Sequence, residues 1–257
     1  MSLFEELIED REEDEKIVKS FKTKDTLCSL IFHRPTLKIK EEVRKRLLEI
    51  SDDFIKSLGV EFFIHDIVLT GSLANYNWSE YSDVDLHILI DMDEIDGEEK
   101  TNSTILHTII KEFFDAKKNI WNEKHDIKIK GFDVELYVQD IHEPHISSGV
   151  YSVLNDEWLV EPKKESPNID DRKILDKGEE FAKNIEDLVN VDTKENVLLK
   201  IEDLRKRIKK FRQSGLESGG EYSYENLTFK LLRRNGYIKK LLDLKNTITD
   251  KKLSITQ

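Results

Sequence analysis

The sequence predicts a mixed α/β core followed by a helical module, and three observations carry that prediction. Two short apolar runs, Ile67-Val68-Leu69 and Leu86-His87-Ile88-Leu89-Ile90, have strand character and are separated by a turn-rich segment. Apolar residues at helical spacing flank this strand pair on both sides. After the linker Glu161 to Asp170, the pattern is helical for the rest of the chain.

In order, residues 1–35 read as an acidic N-terminal arm. Glu5, Glu6, Glu9, Asp10, Glu12, Glu13, Asp14 and Glu15 crowd its first half, and a short docked helix and a solvated arm both fit. Residues 36–160 form the predicted core. Val43, Leu47, Ile50, Phe54 and Leu58 recur at spacings of 4, 3, 4 and 4, with Gly59 as the helix stop. The two strands follow, then an acidic loop with a turn signal at Asp96-Gly97. Thr101 to Trp121 reads as an amphipathic helix and His125 to Val138 as one long strand crossed by Gly131. Val150 to Val153 and Trp158 to Val160 read as a hairpin around Asn155-Asp156. Residues 161–257 form the helical module. One helix uses Ile174, Phe181, Ile185 and Leu188, and a second uses Val197, Ile201, Leu204, Ile208 and Phe211. Gly215 to Gly220 reads as a flexible break, and Tyr224 to Leu244 as a third helix.

Composition narrows the function classes. Charged residues make up 37% of the 257 and hydrophobic ones 38%, which suits a globular chain with a heavily charged surface. No apolar run approaches the ~18–20 residues of a membrane span, and the acidic N-terminus is unlike a signal peptide. Cys28 stands alone, so the chain forms neither an intramolecular disulfide nor a thiolate zinc site, and a cytoplasmic setting is expected. The net charge of −12 argues against a uniform nucleic-acid coat. From Glu195 to Gln257, however, 15 Lys/Arg face 8 Asp/Glu, so the C-terminal segment is basic while the rest is acidic.

The chemistry concentrates between Asp66 and Asp91. The first strand ends at Gly71-Ser72, where a glycine admits close backbone approach to a ligand. A short helix from Leu73-Ala74 would direct free N–H groups at an anion. Ten residues later Asp83-Val84-Asp85 opens the second strand, with both carboxylates on one face and Val84, Leu86, Ile88 and Ile90 on the other. Paired carboxylates repel each other unless a cation neutralises them, and their oxygens suit magnesium. A later strand candidate, Gly131-Phe132-Asp133-Val134-Glu135-Leu136, carries Asp133 and Glu135 on one face.

In these residues the chain resembles the nucleotidyltransferase superfamily of the DNA polymerase β type. In motif style it is most similar to the oligoadenylate synthetase, cyclic dinucleotide synthase and CCA-adding branches. The resemblance implies a Mg-dependent enzyme that moves a nucleoside monophosphate from an NTP such as ATP to a hydroxyl, releasing pyrophosphate. It implies two Mg2+ ions, replaceable by Mn2+, on Asp83, Asp85 and Asp133, which are also the implied catalytic residues. Glu135 shares the face of Asp133, and the resemblance to the first two branches favours Asp133. Gly71 and Ser72 are implied as the phosphate clamp. Trp78 either stacks on a base or caps the core, and both readings stand. Lys230 and Arg234 are candidate triphosphate contacts on the last helix, against a snorkelling reading for Arg234. The acceptor is left open among an RNA 3′ end, a second nucleotide, a small molecule and a protein side chain. The basic C-terminal helices favour RNA, a signal-oligonucleotide synthase is the alternative, and a catalytically inactive nucleotide- or RNA-binding protein is the alternative of another class. His142-Glu143-Pro144-His145 has ligand chemistry, but with no further ligand near in sequence it reads as a histidine-bearing loop.

Overall fold

The computed structural model describes residues 3–95, 103–143, 147–165, 167–190 and 196–255. The chain forms two compact units, Thr23–Ser166 and Met1–Lys22 joined with Pro167–Gln257. The expected Asp96-Gly97 turn and Pro144-His145 lie outside the described residues. Among the described residues no helix is long and apolar enough to cross a membrane.

Helix α1 (Leu3–Ser20) belongs to the second unit. The first unit holds α2 (Glu41–Leu58), β1 (Asp66–Thr70), β2 (Val84–Ile90), the single-turn α3 (Met92–Ile95) and α4 (Ser103–Lys124). It continues with β3 (Lys128–Ile129), β4 (Phe132–Asp140), β5 (Val150–Ser152) and β6 (Glu157–Val160). The six strands lie in the order β3-β4-β2-β1-β5-β6. Only β2 and β4 run parallel, which requires a crossover, and α4 supplies it.

Burial follows the sequence pattern. Helix α2 buries Val43, Leu47, Ile50, Phe54 and Leu58 and ends at Gly59, whose φ of 71° glycine adopts without a Cβ penalty. On β2, Val84, Leu86, Ile88 and Ile90 pack into the same core as Phe132 and Leu136 of β4. Truncating a core side chain such as Phe54 to alanine should cost about 3–5 kcal/mol. The opposite strand faces carry Asp85 and His87 on β2, and Asp133, Glu135, Tyr137 and Gln139 on β4.

The expected long strand from His125 is instead a tight hairpin. Lys130 and Gly131 both take positive φ, 54° and 93°, and reverse the chain between β3 and β4. No helix forms at Leu73-Ala74 either. The chain there makes successive turns, with the Asn75 N–H donating to the Ser72 carbonyl. Residues 23–35 pack irregularly within the sheet unit, burying Leu27, Cys28, Ile31 and Phe32.

The second unit contains α1, α5 (Asp171–Val189), α6 (Val197–Gly219), α7 (Tyr224–Arg234) and α8 (Tyr237–Leu253). Asp170 and Ser223 cap α5 and α7 by accepting the N–H groups of Lys173 and Asn226. The core contains Phe181, Ile185, Val197, Ile201, Leu204, Ile208, Leu232 and Leu241. Three expectations change here. The acidic segment of residues 1–35 is not one solvated arm, because residues 3–20 are helical and bury Ile17 and Val18, with Phe21 buried just beyond. Helix α6 runs through Gly215 rather than breaking there. A Cβ at Gly215 would meet Glu225 Cβ at 2.5 Å and Ser223 Oγ at 2.6 Å, so the glycine permits close packing rather than flexibility. The expected third helix divides at Asn235-Gly236, where Gly236 has φ 74° and starts α8.

Candidate active site

Glycine at position 71 is set by its neighbour across the sheet. Gly71 has φ 73°, and a Cβ there would lie 1.9 Å from Oδ2 of Asp85. The strand β1 therefore ends with its backbone pressed against a carboxylate of β2. Thr70, paired with Asp85 in the β1/β2 register, is buried, and its Oγ1 has no hydrogen-bond partner in the protein. On the other side of Asp85 the parallel register places Glu135. Asp133 lies two residues earlier on β4 and so shares the face of Glu135. Asp83 immediately precedes β2, two residues from Asp85.

The turn between the strands is fastened at several points. Ser72 Oγ donates to Ser82 Oγ at 2.8 Å, and Ser82 Oγ accepts the Ser79 N–H at 2.9 Å. This ties the residue after Gly71 to the residue before Asp83. The Asn75 side chain donates to Ser148 Oγ, and Gly149 lies so close that a Cβ would fall 2.0 Å from the Ala74 carbonyl oxygen. The Trp78 indole N–H donates to the Thr26 carbonyl at 2.8 Å, the ring packs on the core, and Lys24 Nζ sits 5.9 Å from its centroid.

Behind the acids lies a polar layer that sequence reasoning largely missed. Tyr137 donates its hydroxyl to Glu135 and stacks on His87, with centroids 4.7 Å apart. His87 Nδ1 lies 2.8 Å from Gln139 Oε1, and Lys118 Nζ is 4.8 Å from the Tyr137 centroid. The i, i+2 spacing of Glu135, Tyr137 and Gln139 was a signal for this layer once the strand phase was known. Asp133 is half exposed and ion-paired with Lys128, its cross-strand partner on β3. The hydrogen bond to Asp133, joined by one to Asp126, raises the Lys128 pKa above the ordinary lysine value.

Lys230 and Arg234 belong to the helical unit. Lys230 is half-buried, and desolvation of its ammonium lowers its pKa, opposed by Glu221 and reinforced by Arg234, Arg233 and Arg212. Arg234 is engaged within its own unit. Its guanidinium donates to Ser20 Oγ at 2.8 Å and lies 4.9 Å over the Phe21 ring, so it clasps the end of α1. Only its position on the apolar side of α7 was legible in sequence.

Residues 38–154 match the family model of the nucleotidyltransferase domain. This segment is a nucleotidyltransferase domain. It runs from just before α2 to just after β5 and so contains Gly71, Ser72, Asp83, Asp85 and Asp133. A search of curated proteins finds no match to the chain. The domain supports general transfer of a nucleoside monophosphate from an NTP.

The acids around Gly71 have the donor chemistry of a divalent-cation site, but among the described residues Asp83, Asp85 and Asp133 do not bring three ligand atoms within 4.8 Å of one another. Asp83, Asp85 and Asp133 offer hard oxygen ligands, the donor set magnesium prefers. Thr70 Oγ1, buried and without a hydrogen-bond partner in the protein, lies on the strand paired with Asp85, and the missing Cβ at Gly71 is what lets the backbone approach that carboxylate. Lys128 on Asp133 places a positive charge against one of these acids.

Proposed function

We propose that this protein is a Mg-dependent nucleotidyltransferase that moves a nucleoside monophosphate from an NTP to a hydroxyl, with RNA as the acceptor. The approach of Asp85 to Gly71 carries this reading, since only a residue without a side chain admits the carboxylate there. Asp83, Asp85 and Asp133 would hold the Mg2+ ions, which when bound offset negative charge on the NTP phosphates and the attacking oxygen.

The protein's own groups do the remaining work. Backbone at Gly71 and the Ser72 hydroxyl orient the β- and γ-phosphates, and the Ser72-Ser82-Ser79 hydrogen bonds hold that hydroxyl in place. Oδ1 of Asp133, freed from Lys128, accepts the proton of the attacking hydroxyl. Tyr137 holds Glu135 by its hydroxyl, so Glu135 supports the acid row rather than taking the proton.

Support for RNA comes from α6. Lys206, Arg207, Lys209 and Lys210 are all exposed there, and a small-molecule acceptor gives no reason for such a row. The test incubates the protein with α-labelled NTPs and magnesium, with and without bulk RNA, and resolves the products. Label on RNA is the expected result. Label in small phosphatase-resistant species without RNA would replace the RNA reading with oligonucleotide synthesis, and no transfer at all would overturn the enzyme reading.

A further inference from the structure

The other end of the β2/β4 pair gathers a second set of ligand side chains. Asp91 follows β2, Asp140 ends β4, and His142 sits in the turn beyond. One ligand atom from each lies within 4.8 Å of the others. In sequence these residues span fifty positions. The parallel register, which pairs Ile90 with Asp140, is what brings them together. Asp91 is six residues beyond Asp85, which on a strand is about 20 Å, so this cluster is separate from the acids around Gly71.

Each carboxylate is oriented by a backbone N–H on one oxygen; the other oxygen of Asp91 faces His142, and the other oxygen of Asp140 is engaged by His107. Asp91 Oδ1 accepts the Asp93 N–H at 2.9 Å, and its Oδ2 lies 3.6 Å from His142 Nε2. Asp140, only 3% exposed, accepts the His142 N–H on Oδ1 at 3.1 Å. Its Oδ2 is 2.8 Å from Nε2 of His107 on α4. The Asp91–His142 separation is too long for a hydrogen bond. It is near the ligand–ligand spacing of about 3.4 Å around a tetrahedral ion with bonds of about 2.0–2.1 Å. Partners that fix the orientation of ligating side chains are a regular feature of metal sites.

We propose that Asp91, Asp140 and His142 bind a borderline divalent cation of the zinc class, which ties the ends of β2 and β4 together away from the acids at Gly71. The mixed imidazole and carboxylate set selects this class over magnesium, which takes oxygen ligands and retains its waters. His107 orients Asp140 from outside the ligand set.

The test titrates the full-length protein with zinc chloride in excess magnesium, followed by calorimetry, and repeats it with cobalt, followed by visible absorption. Wild type should bind one zinc ion, and the Asp83→Asn/Asp85→Asn variant should bind it equally well. His142→Ala and Asp91→Asn should each weaken binding more than tenfold, His142→Ala with an unchanged circular dichroism spectrum because its side chain is 61% exposed. Failure of wild type to bind zinc overturns the proposal. So does zinc binding that Asp91→Asn removes and His142→Ala spares, because Asp91 also neighbours His65 and Glu94, and that result would place the ion with them.

Discussion

At the start of the parallel pair β2/β4, Gly71, Asp83 and Asp85 lie within fifteen residues of one another, and Asp133 joins them from β4. At its far end, Asp91, Asp140, His142 and His107 come together only because α4 returns the chain to place β4 beside β2. Both ends carry carboxylates, yet their surroundings differ. The first has a glycine under a carboxylate and a half-exposed acid paired with a lysine. The second has a buried aspartate engaged by a histidine and a backbone N–H. A site that receives a polyanionic substrate needs access and replaceable counter-charges. A site that braces a strand end needs fixed partners. The same strand pair thus supports two kinds of acid cluster.

The comparison breaks most visibly if the two ends are not independent. Asp83→Asn/Asp85→Asn should reduce transfer by about a thousandfold or more, since the charge stabilisation removed is several kcal/mol. The melting temperature should hold or rise, because two like charges leave one face. Single-turnover assays and thermal denaturation check both. Next in size is Gly71→Ala. Its Cβ must displace the Asp85 carboxylate and adopt φ 73°, so stability should fall by about 1–3 kcal/mol and transfer by about a hundredfold. Urea titration and initial rates measure these, and an active Gly71→Ala enzyme would contradict the reading of that close approach.

A smaller effect separates the two acids of β4. Asp133→Asn should remove turnover, whereas Glu135→Gln should retain a measurable fraction, and the reverse order in kcat would move the third carboxylate to Glu135. The structure sharpens this contrast, because Glu135 is held by Tyr137 while Asp133 is held by an exposed lysine that a competing cation can replace.

How much of this was legible in sequence depends on the distance over which residues meet. Helix α2 and the alternation of Val84, Leu86, Ile88 and Ile90 were legible because they are periodic and local. Gly71-Ser72 and Asp83-Val84-Asp85 were legible because their spacing is short. The turn at Lys130-Gly131 was not, since a non-glycine residue at positive φ leaves no compositional mark. Gly215 looked like a break because sequence does not show that Ser223 and Glu225 will press on it. The histidine at 142 looked isolated because Asp91 reaches it only through the sheet register, which leaves Asp140, two residues away, as the one ligand near it in sequence. The contacts of Arg234 were not legible because Ser20 and Phe21 are more than two hundred residues away in the chain.

A pH effect that touches neither end comes from the β5/β6 hairpin. Tyr151 donates to Asp156 at 2.6 Å, and burial first, then that hydrogen bond, raises the tyrosine pKa. Burial opposes ionisation of Asp156, but Lys38 and Tyr151 hold its pKa below the ordinary value. The folded state thus keeps the Tyr151 proton where the unfolded chain loses it, so this contribution is full below pH about 10 and declines above it. The Asp156 contribution is full above pH about 4 and is lost as pH falls through the lower folded value. Tyr151→Phe should flatten the alkaline limb of a stability-versus-pH curve, and an unchanged limb would contradict the assignment. The smallest expected effect is on α6. Lys209→Glu/Lys210→Glu should leave transfer to a short acceptor intact and reduce the salt slope of RNA binding by about 0.7–0.9 for each phosphate no longer neutralised.

The central claim is that the acids beside Gly71 carry out nucleotidyl transfer. Its most direct test follows pyrophosphate release from γ-labelled NTP and acceptor labelling from α-labelled NTP in one reaction, with magnesium and RNA, for wild type and Asp83→Asn/Asp85→Asn. The account predicts equal amounts of pyrophosphate and transferred nucleotide from wild type and neither from the variant. Labelled acceptor from the variant at the wild-type rate, or release of inorganic phosphate in place of pyrophosphate, would contradict it.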